Sequence, residues 1–391
     1  MKTVALPVGY IPLADAAPLV IAHDLGFAED EGLALELRCA RSWSQLRDFL
    51  TMGQVSAAHM LAPVPIAAAL GLGGAMAPLA VMSVLSINGT VIGVSRALAD
   101  RLSTAGHGFE FDDARAAGKA LIEARRDGLR VGVPFPFSMH AELVFYWLST
   151  LGLPAPQALT VRTVPPPMMA QALQDGEIDA FCVGEPWGSI AVERGVGALL
   201  LPGAAIWAFA PEKVLAVRTA AIEDQPDLCH RLIRSVWRAG RWLGDPENRM
   251  LTAEIMSRPG YLDLDAEIVE RSLSGRFIVH PDGGERQAHR FMAFHEGAAT
   301  FPWRSQAEWI GAQMATRLGL DRDSAAAAAR SVFRTDLHRA ALATTSADLP
   351  GASVKLEGSL FHDTPVASRN GRLILARDSF FDGRIFEPTP E

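Results

Sequence analysis

Charge is missing from a long stretch of this chain. Between Asp48 and Arg96 there is no Asp, Glu, Lys or Arg. A run of that length raises a membrane span, yet His59, Pro63, Pro65, Pro78 and the glycines Gly71, Gly73 and Gly74 interrupt it. It falls below the roughly 20 continuous apolar residues that a spanning helix needs. A buried strand, a core helix and a second buried strand account for it. Cysteine is also scarce: Cys39, Cys182 and Cys229 are odd in number, widely spaced and free of any CxxC or Cys/His cluster. That excludes a disulfide framework and a zinc site, and fits a reducing compartment. Only four of the 36 basic residues are lysines, Lys2, Lys119, Lys213 and Lys355, which makes each worth inspection. The sequence has no GxGxxG, Walker A, GxSxG or HExxH pattern. Nucleotide, serine-hydrolase and zinc-peptidase readings are therefore unsupported, and no cofactor or metal is expected.

At 391 residues the chain exceeds the roughly 250 to 300 at which single cores stop growing, so two lobes are expected. A net charge of -8 with interspersed signs argues against direct nucleic-acid binding. The opening MKTVALPVGYIPL runs straight into a strand pattern, with no apolar leader and small-residue cleavage site. If Met1 is the natural start, the expected location is cytoplasmic. Strands at 3–9, 34–40 and 56–61 alternate with helices at 16–24 and 44–52, the signature of a mainly parallel α/β sheet. Asp15 reads as the N-cap of the first helix, whose free amides are placed to meet an anion. A strand from Val91 starts a second unit, and the chain recrosses between Trp207 and Val217. The expected lobes are 1–89 with 213–391, and 90–212. Residues 250–345 read as helices. The last stretch, with Phe361, Phe380, Phe381 and Phe386, reads as an extended tail packed through its aromatics or as a partner-binding arm.

The most informative segment is Met168–Gly195, which reads as a helix, a short buried strand, and a mouth formed by Gly184, Glu185, Pro186 and Trp187. Ligands of open α/β sheets collect at such carboxyl ends. Four other positions join a strand end or crossing to a polar or aromatic side chain. Trp43, between Ser42 and Ser44, offers an indole N–H and an aromatic wall, or packs in the core. The turn Asn88-Gly89-Thr90 offers a hydroxyl and amides, or is a plain hinge. His140 opens a helix, where an imidazole and local amides favour an anion, or is structural. Lys213 supplies the one cation that a monovalent oxyanion needs, or is an ordinary surface lysine.

GYIPLADAAPLVIA (9–22), RSWSQLRD (41–48), VPPPMMAQAL (164–173), DAFCVGEPW (179–187) and PEK (211–213) closely resemble the nitrate- and bicarbonate-binding family of solute-binding proteins. The resemblance spans nearly the whole chain, with DAFCVGEPW below VPPPMM its most specific part. It implies the type II periplasmic-binding-protein fold, two α/β lobes closing on a small anion. It also implies nitrate-holding roles for Trp43, His140 and Lys213. Thr90 departs from the Asn-Gly-Gln common in the nitrate branch, and Phe137-Ser138-Met139 replaces a more glycine-rich turn, so nitrite or another small oxyanion fits as well. Ligand-binding positions are thus Trp43, Asn88, Gly89, Thr90, His140, Glu185 and Lys213. The apparent lack of a leader points to the cytoplasmic nitrate/nitrite sensors of this family, whose implied partner is an ANTAR-type RNA-binding antitermination regulator released when the anion binds. Two alternatives stand beside this: an exported binding protein of an ABC transporter for nitrate, nitrite or bicarbonate, and a sulfinate-processing enzyme using Cys39 or Cys182.

Overall fold

The computed structural model describes residues 3–125 and 128–389. Two mixed sheets, each covered by helices, form its two lobes. The first lobe contains β1 (Val4–Tyr10), β2 (Leu33–Cys39), β3 (Ala57–Leu61) and β4 (Leu79–Asn88). The second contains β5 (Thr90–Ser95), β6 (Arg130–Val133), β7 (Thr160–Thr163), β8 (Ala180–Gly184) and β9 (Gly197–Pro202). The chain then returns to the first sheet as β10 (Pro211–Arg218), and the two-residue strand Met292–Ala293 closes one edge of that sheet. The strand order is Met292–Ala293, β4, β10, β3, β1, β2 in the first sheet, and β7, β6, β8, β5, β9 in the second.

The residues explain these positions. Every residue of β3, β4 and β8 is buried, and their sequences are near-continuous apolar runs, as strands covered on both faces require. At the sheet edge, β2 alternates buried and exposed residues along LALEL, with the period of two of a half-buried strand. This places the strands of the charge-free 49–95 stretch, β3, β4 and β5, in the cores of the two lobes, while the turns at 52–54 and 70–78 stay at the surface.

The expectation of mainly parallel sheets needs correction. β1 pairs with β2 and β3, and β6 with β7 and β8, in parallel. The strands entering or leaving the crossings run the other way: β10 is antiparallel to β3 and β4, and β5 to β8 and β9. A strand that follows directly from the other lobe enters its sheet from the opposite end, which no local periodicity reveals. The all-helical expectation for 250–345 also fails locally. Arg276–Ile278 and Glu285–Gln287 form a small hairpin, beyond which the Val279 carbonyl accepts from Leu199 N–H of β9 at 2.7 Å.

Glycine is required at the first crossing. Asn88 and Gly89 have φ of 56° and 99°, and a Cβ on Gly89 would lie 2.9 Å from the Met292 methyl. The Asn88 carboxamide donates to the Ala208 carbonyl at 2.8 Å and accepts from Ala210 N–H at 3.1 Å, stapling one crossing to the other. In the tail, Phe380 stacks on Trp207 and Trp309 and Phe381 meets Tyr146 edge-on, whereas Phe361 is exposed.

Candidate anion site

The cleft between the lobes closes on a buried polar cluster centred on Lys213. Its ammonium lies 2.7 Å from Asp15 Oδ2 and 2.9 Å from Glu212 Oε1, and 5.5 Å above the Trp43 ring. His59 Nε2 stands 3.0 Å from Asp15 Oδ1, and His140 Nδ1 3.2 Å from Glu212 Oε1. Trp43, His59, Asp15, His140, Glu212 and Lys213 are each at most 1 % exposed.

Local structure positions each group. Ser42 Oγ accepts from Gln45 N–H and starts the helix Trp43–Thr51, fixing the indole at its first residue. Ser138 Oγ does the same for the helix Met139–Thr150, where His140 sits in the first turn. Lys213 and Thr90 flank the two crossings, on β10 and β5. The cleft is sealed by bonds between the lobes: Ala14 N–H donates to the Glu185 carbonyl at 2.9 Å, and Trp187 Nε1–H to the Pro12 carbonyl at 2.8 Å. Gly184 leaves the space between them. A Cβ there would come within 3.0 Å of Leu13, and within 3.7 Å of both Asp15 Oδ2 and His140 Nε2.

Around this single cation several buried polar atoms have no hydrogen-bond partner: Trp43 Nε1, Thr90 Oγ1, His140 Nε2 and Ser86 Oγ, the last at the β4 position paired with Lys213. Buried polar groups are normally satisfied, and leaving one bare costs about 1–3 kcal/mol. The Trp43 N–H and the Thr90 and Ser86 hydroxyls can donate to an oxygen-rich anion beside the ammonium, while neutral His140, with Nδ1 toward Glu212, presents Nε2 as an acceptor.

The charge states follow from burial and contact. Burial opposes ionisation of Asp15, but Lys213 and His59 outweigh it and hold the carboxyl at about 2. Burial acts downward on Lys213, yet Asp15 and Glu212 raise it above its ordinary value, so the ammonium stays charged. Burial pushes Glu212 up to about 7 against the pull of Lys213. Both imidazoles are held neutral: His59 is lowered by burial in spite of Asp15, and His140 far more, by burial and by Lys213.

Of the positions singled out in the sequence, Trp43, Thr90, His140 and Lys213 converge here. Gly89 serves as the hinge, and its carbonyl accepts from Glu185 N–H at 3.1 Å. Asn88 and Glu185 turn their side chains elsewhere. The Asn88 amide is occupied by the second crossing. The Glu185 carboxylate accepts from Ser189 N–H at 3.1 Å and from Ser272 Oγ–H at 3.2 Å. Asp15 caps no helix: it lies in the 3-10 turn Ala14–Ala16, with its carboxylate in the cluster. The amides of that turn are engaged: Ala14 N–H donates to the Glu185 carbonyl, Ala16 N–H to Leu13 and Ala17 N–H to Ala14. Sequence reasoning missed Asp15, His59, Ser86 and Glu212 as members of the cluster. His59 carried a usable signal, as the one titratable residue within the charge-free core stretch.

The thiols do not suit nucleophilic chemistry. Burial and the Glu212 carboxylate push Cys182 well above its ordinary range, and burial raises Cys39. Among the described residues no group of His, Cys, Asp and Glu side chains is arranged to hold a metal ion, and no helix is long and apolar enough to cross a membrane.

A two-lobed α/β fold meeting at one buried cation is the arrangement of a solute-binding protein, and the relatives below are binding and transport proteins. The sequence profile of the NMT1-like family matches residues 1–257, and the chain belongs to that family. Over 99 % of this chain it is 28 % identical to the nitrate/nitrite binding protein NrtA of Nostoc sp., covering 84 % of that protein. Over 88 % of this chain it is 33 % identical to the nitrate import ATP-binding protein NrtC of Synechococcus elongatus, but spans only half of that protein's length. The crystal structure of the periplasmic nitrate-binding protein NrtA from Synechocystis superposes with a TM-score of 0.84 at 24 % identity, covering 99 % of this chain and 96 % of that one, and shares its fold.

Proposed function

We propose that this chain is the nitrate- or nitrite-binding component of an ABC import system, closing its two lobes on one anion at Lys213. The observation that carries the reading is the buried ammonium beside the bare Trp43 N–H and the Thr90 and Ser86 hydroxyls at the junction of the lobes. The functions of the relatives, nitrate/nitrite binding and nitrate import, support it. Closure replaces the anion's hydration with fixed donors from both lobes, so occupancy favours the closed geometry by the difference in affinity between the two states. That geometry is what a permease would read.

The same closure serves the regulatory reading, in which a cytoplasmic sensor holds an ANTAR-type RNA-binding antitermination regulator until nitrate or nitrite displaces it by linkage. None of the relatives named above carries such a role, so import is the leading reading and the sensor the second. Co-purification with such a regulator that is lost on adding nitrate would reverse that order.

Calorimetric titration with nitrate, nitrite and bicarbonate tests the site. Micromolar binding of nitrate or nitrite is expected, lost in Lys213→Met and weakened in His140→Ala. An absence of heat with all three anions overturns the reading. Lys213→Met also leaves Asp15 buried without its cation, and a stability loss of about 3–5 kcal/mol in chemical denaturation is expected.

A further inference from the structure

The cluster holds more negative charge than an anion receptor needs. One ammonium, Lys213, faces two carboxyls, Asp15 from the 3-10 turn and Glu212 from its own strand, and all three are fully buried. The groups facing Glu212 from the other elements bring no compensating charge: His140 and His59 are neutral, and the Cys182 thiol is pushed up and stays protonated. With both carboxyls ionised, an entering anion would give the dry cluster a net charge of minus two. The low dielectric of a sealed cleft makes that arrangement prohibitive.

The two carboxyls differ in their ability to relieve it. Asp15 is engaged on both oxygens, by His59 at 3.0 Å and Lys213 at 2.7 Å. Glu212 has both its contacts on Oε1, from Lys213 and His140, while Oε2 is buried with no partner. We propose that anion binding at this site is proton-coupled: a proton-free oxyanion enters together with one proton from solvent, and Glu212 takes that proton on Oε2. The protonated carboxyl is then a neutral O–H donor beside Lys213, and the occupied cluster carries a net charge of minus one. Glu212 is thereby the residue that sets how affinity depends on pH. The inference rests on the anion-binding reading above.

Burial places Glu212 at about 7 in the present structure, and a neighbouring anion raises it further. Below that value the proton is already in place and affinity is independent of pH. Above it each anion carries in close to one proton, and affinity falls about tenfold per pH unit until the anion-bound value is reached.

The test is calorimetry of the full chain with sodium nitrate at about pH 8, in buffers of different ionisation enthalpy, where the dependence of heat on buffer counts protons. A count close to one is expected for the wild type, with the affinity falling about tenfold over the next pH unit. In Glu212→Gln the count drops to near zero and the pH slope flattens. Nitrate binding by the wild type with a count near zero overturns proton coupling, and this result needs no variant. An undiminished count in a folded Glu212→Gln protein overturns the assignment to Glu212. No binding of nitrate or nitrite at about pH 6, where Glu212 is already protonated, overturns the anion reading itself and this inference with it.

Discussion

Thr90 separates a binding role from a structural one more cleanly than any other residue of the cluster. Its hydroxyl is buried, has no oxygen or nitrogen partner, faces the Cys182 thiol, and fills the space a Cβ on Gly203 would need. A structural threonine would satisfy that hydroxyl within the fold. Thr90→Val keeps the shape and removes the donor, so the fold loses only a weak contact with the Cys182 thiol. Stability is expected to stay within about 1 kcal/mol of wild type. Nitrate affinity is expected to fall about ten- to a hundredfold, the worth of one hydrogen bond to a charged group. Denaturation and calorimetry on the same preparation read both quantities. Unchanged affinity would remove Thr90 from the site.

At the scale of an element, the connection between β4 and β5 does more than link the lobes. Asn88 ties it to the returning crossing through Ala208 and Ala210, and Gly89 supplies a backbone turn with φ near 99° against the Met292 side chain. Gly89→Ala forces a Cβ into that contact and a left-handed conformation on alanine, with an expected loss of about 1–3 kcal/mol. Because the same residue joins the two sheets, anion affinity is expected to fall with it. A Gly89→Ala protein as stable as wild type would show that the turn relaxes freely. The antiparallel course of β5 and β10 belongs to this scale as well. Strand boundaries were legible from apolar runs and turn residues, but their direction was not, since period-two alternation is the same either way.

Over the whole molecule, closure rests on bonds that run between the lobes, and the Glu185 carboxyl is one of the titratable groups among them. It links the start of the helix Trp187–Glu193 to Ser272. Burial raises it from the ordinary 4.5 to about 7, against the hydrogen bonds from Ser189 and Ser272. The native state therefore holds this proton more tightly than the unfolded chain. The resulting stability is complete below about pH 4.5 and is lost as pH rises through about 7. Glu185→Gln removes this contribution, so its melting temperature relative to wild type should rise across that window. Parallel profiles for the two proteins would assign the carboxyl no linkage. The contacts of Glu142 with Arg317 and of Tyr146 with Asp382 fasten the other side of the second lobe to the C-terminal helices and tail. The Phe-rich ending thus lies within the fold through Phe380 and Phe381.

Much of this protein could be read from residue order alone: two α/β lobes, the buried strands of the 49–95 stretch, the crossings, and the placement of Trp43, Thr90, His140 and Lys213 at strand ends or crossings. Apolar period, turn residues and strand-end placement are local properties, and the chain writes them locally. Asp15, His59, Ser86 and Glu212 escaped for the opposite reason. Asp15 before a helix looks like a cap, and Glu212 beside Lys213 looks like a solvated pair; only the packing of the lobes puts both carboxyls in a dry space with one ammonium. Asn88 and Glu185 moved the other way, from expected ligand contacts to lobe staples, because their partners at Ala208, Ala210 and Ser272 lie some 90 to 120 residues away along the chain. Charge state depends on burial and on neighbours distant in sequence, so the fold decides which groups are ionised, which donors are bare, and where an anion can sit.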